Sequence, residues 1–292
     1  MIKNIFAIAF MLFLSLSIFA QRKRALLVGI SKYDIPQTGY QWNNINGAND
    51  VALLSPILKS KGFVVNSLTN GEATYDNIIT HINKLIKTSR KDDIVFFHFS
   101  GHGQPVEDRN GDEEDGWDEA LIPIDAYKIY QKGIYEGEKH IIDDVFGALI
   151  SKLRTAIGPQ GFVYVVLDAC HAGTASRGDG EETPIRGTSQ GFAYTRGKYF
   201  VPKKIETANY YRIAKSANMA NVTFFEACRP YQLNKEIKVG NTYYGPLSYL
   251  LSLSISSVGL TNPSLLINTL NKYIISSGKW PMDQNLVIEK SY

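Results

Sequence analysis

Residues 163–173, VYVVLDACHAG, set Asp168, Cys170 and His171 directly behind five apolar residues. Residues 93–103, DIVFFHFSGHG, do the same with Ser100 and His102. A cysteine attacks only as the thiolate, and a free thiol with a pKa near about 8.5 is mostly protonated at neutral pH. It therefore needs a base within reach, and an imidazole is the usual one. Cys170 and His102, each delivered by the end of an apolar run, have the residue types for a nucleophile and its base. Two other histidines are weaker candidates: His98 alternates within its run and reads as packed, and His171 reads as facing away from the site.

For these groups to meet, the runs that carry them must be neighbouring strands. Residues 163–167, bounded before by Gly158, Pro159 and Gly161, read as a short buried strand, as do residues 93–99. The carboxyl end of a strand in an open α/β sheet is where ligands and reacting groups collect. The rest of the chain fits such a sheet. Residues 25–30, 63–68 and 93–99 read as strands, with helices at 48–61 (Val51, Leu54, Leu58 on one face) and 74–89 (Ile78, Ile82, Leu85, Ile86) between them. Strand and helix in alternation predict a parallel sheet covered on both faces. Residues 104–140 break the pattern with an acidic loop, a short apolar piece at 120–124 and a Gly- and Tyr-rich segment. A helix at 141–157 leads into the Cys170 strand, 173–204 reads as a long exposed loop, 222–228 as a fifth strand, 243–257 and 263–277 as helices, and 286–288 as a last edge strand.

Composition narrows the class. The chain has 292 residues, 44% of them apolar, and a formal charge of only +3, with no basic stripe to suggest nucleic acid. Residues 1–20, one lysine and then a run of Ile, Phe, Ala, Met and Leu ending in Ala20, have the form of a secretory signal, which predicts a periplasmic or secreted protein. The alternative is an uncleaved membrane anchor, although the run is short for a span of about 20 residues. There are two cysteines, Cys170 and Cys228. Cys228 lies inside its own apolar run and reads as a small buried hydrophobe rather than a disulfide partner.

The pair FSGHG (99–103) and DACHAG (168–173) resembles the caspase-like cysteine peptidases, the metacaspases in particular. The likeness extends to NDV at 49–51, DGWDE at 115–119, IIDD at 141–144 and FEACRPYQLNKE at 224–236. It implies an α/β fold, a three-layer sandwich with a six-stranded, mostly parallel sheet. The domain would run from 21 to 292 as a monomer, its large part ending near 180 and its small part following the 173–204 loop. It further implies Cys170 as nucleophile, His102 as its partner, the Gly103 and Cys170 amides as oxyanion donors, and Asp50, Ser100 and Asp168 in the S1 pocket. Two carboxylates in a narrow cleft favour a guanidinium or ammonium. The substrates expected are thus proteins or peptides with Arg or Lys at P1, and Arg177, Arg186, Arg196, Lys198, Lys203 and Lys204 make the 173–204 loop a candidate for self-cleavage. A silent caspase-like binding module and a peptide ligase using the same acyl-enzyme are the alternatives.

No cofactor is needed for such chemistry, but many metacaspases are activated by calcium, whose ligands would fall on Asp118, Asp143 and Asp144. Arg177 stands where a further aspartate is expected, with Asp179 two positions on. Residues 108–119 also match an EF-hand loop in part, but Glu113 stands where glycine is needed. A solvated acidic loop is the alternative.

Overall fold

The computed structural model describes residues 21–33, 42–111, 113, 115–170, 183–188, 190–195 and 208–291. The expectations for residues 1–20 and for His171, Arg177, Asp179, Arg196, Lys198, Lys203 and Lys204 lie outside the described residues.

The apolar runs become strands: β1 (Lys23–Gly29), β2 (Phe63–Thr69), β3 (Ile94–Ser100), β4 (Gly103–Glu107), β5 (Trp117–Leu121), β6 (Ile141–Ile142), β7 (Phe162–Asp168), β8 (Tyr210–Arg212), β9 (Asn221–Glu226), β10 (Ile237–Val239), β11 (Thr242–Tyr244) and β12 (Val287–Lys290). The helices are α1 (Gly47–Ser60), α2 (Tyr75–Thr88), α3 (Asp143–Ile157), α4 (Pro246–Val258) and α5 (Pro263–Ser276). The main sheet runs β2-β1-β3-β7-β9-β12-β8. Pairing is parallel throughout except between β9 and β12. Six strands were expected; the seventh, β8, is a three-residue edge piece too short and polar to leave a periodic signal.

Helices cover both faces. Val28, Val95, Phe97, Val163 and Val165 pack with Ile78 and Ile82 of α2 and Leu149 and Leu153 of α3. Leu27, Phe96, Tyr164 and Val166 pack on the other face with Leu54 of α1, Leu250 of α4 and Leu266 of α5. Local chemistry sets several helix ends. Thr74 accepts from Asn77 N at 3.3 Å and Asn262 from Leu265 N at 3.0 Å, each capping a helix start. Asp143 and Asp144 stand in the first turn of α3 and Arg154 in its last, as the helix dipole favours.

Three expectations are corrected. Much of 104–140 is ordered by a three-stranded antiparallel sheet, β4-β5-β6, so residues 141–142 pair with β5 before α3 begins at Asp143. Tyr243 belongs to the β10–β11 hairpin, and α4 starts three residues later at Pro246, a residue suited to the first helical turn. The strand expected at 222–228 ends at Glu226, which leaves Cys228 beyond its end.

Candidate active site

The period of two in a strand decides which face each polar residue takes. On β3, Ile94 and Phe96 face α1 and α4, and the same parity carries His98 and Ser100 to that side. On β7, Tyr164 and Val166 do so, followed by Asp168. The first turn of α1 adds Asp50. Asp50, Ser100 and Asp168, expected together, are together: all three are fully buried, and Ser100 Oγ donates to Asp50 Oδ2 at 2.7 Å. Asp168 accepts from Asn234 Nδ2 and from Ser248 N at the start of α4, both at 2.7 Å. Gly245 closes the pocket floor, since a β-carbon there would collide with the Asp168 carboxylate. His98, as expected, is a packing residue, bonded through Nε2 to Ser248 Oγ at 2.9 Å.

The pocket is occupied by the chain itself. Arg186, expected on an exposed loop, is fully buried, because four polar partners take its guanidinium out of water. Nη1 lies 2.7 Å from both Asp50 Oδ2 and Ser100 Oγ, and 3.3 Å from Asp168 Oδ1. Nε and Nη2 each donate to Glu236 Oε1 at 3.0 Å. Burial opposes the Arg186 charge, but Asp50, Asp168 and Glu236 outweigh it and push the pKa up. Burial also raises the Asp50 carboxyl, to about 7, with Arg186 as the largest opposing influence. Glu236 is a pocket residue the sequence reading did not assign. Asn46 N and Nδ2 hold it at 2.7 and 2.5 Å, and the acid directly before the hairpin was its only signal.

His102 follows β3 and Cys170 follows β7, at the ends of adjacent parallel strands. The tautomer of His102 follows from its partners. The Asn43 carbonyl, 2.7 Å from Nε2, can only accept, and the Gly187 N–H, 2.9 Å from Nδ1, can only donate. The ring is therefore neutral, with its proton on Nε2. Burial, together with Lys128 and Arg186, lowers its pKa to about 3 despite the Asn43 carbonyl. Trp42 stacks on it at 4.8 Å and 25°, and Tyr33 packs at 4.8 Å while its hydroxyl accepts the His102 N–H. The Cys170 thiol, fully buried, is hydrogen-bonded to the Gln232 carbonyl. Gly187 joins the two groups: it bonds His102, and a β-carbon on it would strike the Cys170 carbonyl oxygen. Neither cysteine is in a disulfide.

On the opposite sheet face a cavity of about 660 Å³ is lined by Glu113, Asp115, Glu119, Asp143, Glu226 and Glu289, among others. Burial first, then Glu289 and Asp143, push Glu226 up to about 8. Burial and neighbouring acids also raise Glu119, and burial raises Glu289. Of the three aspartates proposed for calcium, Asp143 lines this cavity, Asp144 accepts from Asn110 Nδ2 at 2.8 Å, and Asp118 is buried in β5. Among the described residues no three His, Cys, Asp or Glu side chains are grouped to hold an ion. Residues 108–119 are flanked by β4 and β5 rather than helices, unlike an EF-hand.

A family model described as "Metacaspase, peptidase C14 domain" matches residues 23–177. Metacaspase-1B of Aspergillus terreus is 32% identical over 167 residues, which cover 53% of this chain and 39% of that protein. Metacaspase-1 of Scheffersomyces stipitis is 33% identical over 165 residues, covering 53% of this chain and 36% of that one. The chain thus matches well under two thirds of the length of these relatives. Among solved structures, a Geobacter sulfurreducens protein superposes with a TM-score of 0.59 at 21% identity, covering 92% of this chain and 93% of that one. Caspase-1 from Spodoptera frugiperda superposes with a TM-score of 0.51 at 15% identity, covering 92% and 88%. These two likenesses carry the fold.

Proposed function

We propose, on the premise that the chain belongs to the metacaspase family of peptidase C14 domains, that it is an exported cysteine endopeptidase cutting after Arg or Lys. The observation that carries the specificity is the Arg186 guanidinium seated among Asp50, Asp168 and Glu236. A lone cation against three acids leaves the pocket with surplus negative charge, which suits a cationic P1 side chain and repels an acidic one.

Cys170 is the nucleophile and His102 the base. His102 takes the thiol proton at Nδ1 while the Asn43 carbonyl holds the opposite nitrogen. Sulfur adds to the carbonyl carbon after P1, and the amides of Gly103 and Cys170 serve the oxyanion. The imidazolium returns its proton to the leaving amine, and water cleaves the thioester. Trp42 and Tyr33 keep the ring in register for both transfers.

The test is hydrolysis of fluorogenic peptides carrying Arg, Lys or Asp at P1, with Cys170→Ala as control. The expected result is turnover of the Arg and Lys peptides that is lost in the variant. Turnover of the Asp peptide would reverse the specificity, and turnover that survives in Cys170→Ala would remove the assigned nucleophile.

A further inference from the structure

The Trp42 ring is shared by the base and by a cation. His102 stacks on it at 4.8 Å, and Lys128 Nζ stands over it at 5.3 Å from the centroid, within cation–π reach. The ammonium thus lies within about 10 Å of the imidazole, where one charge in partly buried surroundings shifts a titration by about one pH unit. The backbone that carries it is fixed. Ala126 O accepts from Trp42 Nε1 at 3.1 Å, and Lys128 O accepts from Gln104 Nε2, two residues after His102, at 2.9 Å. The Gln104 amide has one orientation, since Nε2 also donates to Gln190 O at 2.8 Å and leaves Oε1 facing His140 Nε2 at 3.0 Å. His140 therefore donates there, and its Nδ1 accepts from the Tyr135 hydroxyl at 2.8 Å. Four titratable groups surround the His102 ring: the Tyr33 hydroxyl, the Arg186 and Lys128 cations, and the Cys170 thiol at the end of the neighbouring strand. Burial raises Tyr33, which stays neutral, and three carboxylates meet Arg186. Lys128 has no such offset among the described residues. Burial alone acts on it, and of the two cations it has the larger influence on His102.

We infer that Lys128 is a positioning residue for the base: held at Trp42, its ammonium keeps the His102 ring uncharged at rest and returns it to that state after each proton transfer. The inference rests on the Cys170 and His102 reading above. In acylation the thiol proton passes from Cys170 Sγ to His102 Nδ1 as sulfur bonds the carbonyl carbon. The imidazolium so formed meets the ammonium, and the same proton moves on to the nitrogen of the departing peptide as the amide bond breaks. Nothing is oxidised, and Lys128 keeps its own protons throughout. A lysine present only for packing would cover Trp42 with its carbon stem, and loss of its charge would leave the imidazole unchanged.

The full chain, labelled with nitrogen-15 in its histidines, would be followed by long-range proton–nitrogen spectra from pH 4 to pH 8 as wild type, Lys128→Met, Lys128→Arg and Lys128→Glu, with His102→Gln assigning the signal. Wild type and Lys128→Arg should keep the neutral, Nε2-protonated ring down to pH 4, since burial first, with Lys128 and Arg186, holds the His102 pKa at about 3. The midpoint should rise by about one unit in Lys128→Met and about two in Lys128→Glu. With a fluorogenic Arg peptide, the acid limb of kcat should move by the same amounts while KM at pH 8 stays within about twofold of wild type. An imidazolium in wild type at pH 5, a midpoint common to all four chains, or a shift in Lys128→Arg equal to that in Lys128→Met overturns this inference and leaves the peptidase reading standing. Absence of turnover by every chain overturns the peptidase reading, and the role of Lys128 with it.

Discussion

Two acid-lined hollows lie on opposite faces of the same strand ends, and their charges are met in different ways. In the pocket on the α1 and α4 side, the carboxylate oxygens have aimed donors: Ser100 Oγ for Asp50, Asn234 Nδ2 and Ser248 N for Asp168, Asn46 N for Glu236, and Arg186 across all three. In the cavity on the α3 side, the influences on Glu226 all push one way, namely burial, Glu289 and Asp143, and favour its protonated form, while Arg229 in the same lining donates to Tyr231 Oη, Ala208 O and Asn209 Oδ1. The number of acids does not distinguish these hollows, since the second has more. What makes the first a cation pocket is that its oxygens are held in place before the cation arrives.

That distinction breaks most sharply on mutation. Once Arg186 is displaced, Asp50→Asn should lower kcat/KM for Arg peptides by about 2–4 kcal/mol, roughly 30- to 700-fold, because it removes one partner of a buried charge pair. Glu226→Gln, in the other hollow, should leave it within about twofold. Steady-state kinetics with one Arg peptide decides both, and comparable losses would mean that the two hollows act as one site.

A pH titration is the next sharpest probe. Burial raises Asp50 to about 7 while Arg186 is present, so the pocket binds a guanidinium most tightly above that value. The pocket emptied of Arg186 holds its proton to still higher pH, so as pH falls toward 7 a proton competes with the substrate cation, and KM for Arg peptides should rise by up to about tenfold per unit before levelling off below 7. In Asp50→Asn this acid limb should flatten. A limb unchanged in the variant would assign it to another group.

How far the sequence discloses these regions follows from the kind of signal each residue leaves. The Cys170 and His102 strands are legible because an apolar run that stops at chemistry-bearing residues is rare, and strand parity then forces Ser100 and Asp168 to one side. Glu236 leaves no such mark. It works through contact with residue 186, 50 positions away, and its placement depends on the β10–β11 hairpin and on Asn46. Arg186 is one of six basic residues in a loop of uniform composition, and nothing in the sequence separates it from the other five. The β4–β5–β6 sheet is hidden for another reason. Pro105, Glu107, Asp118 and Glu119 interrupt the apolar pattern, which a small sheet outside the main core tolerates. The Glu226 and Glu289 pair is equally silent, since it forms across the antiparallel β9 and β12 register.

The smallest expected effect tests the second hollow alone. Glu226 folds with its pKa raised to about 8 from an ordinary value of 4.5, so between those values the folded state holds more protons than the unfolded state. Stability from this group is complete below pH 4.5 and is lost as pH rises toward and through 8. The buried histidines act in the opposite sense. His98, lowered to about 4, and His102 and His140, each lowered to about 3, are neutral when folded and withdraw stability as pH falls below about 6.5. Above pH 6.5 the histidine contribution is flat, and the other raised carboxyls, Asp50, Glu119 and Glu289, are present in wild type and variant alike, so the difference between the two reads Glu226. Denaturant unfolding at pH 6.5 and pH 8.5 should find Glu226→Gln gaining about 1 kcal/mol on wild type between the two, the open cavity and its water keeping the figure well below the full linkage value. A constant gap would mean that Glu226 is already charged at pH 6.5, and the contrast between a cation-met and a proton-met hollow would then have to be given up.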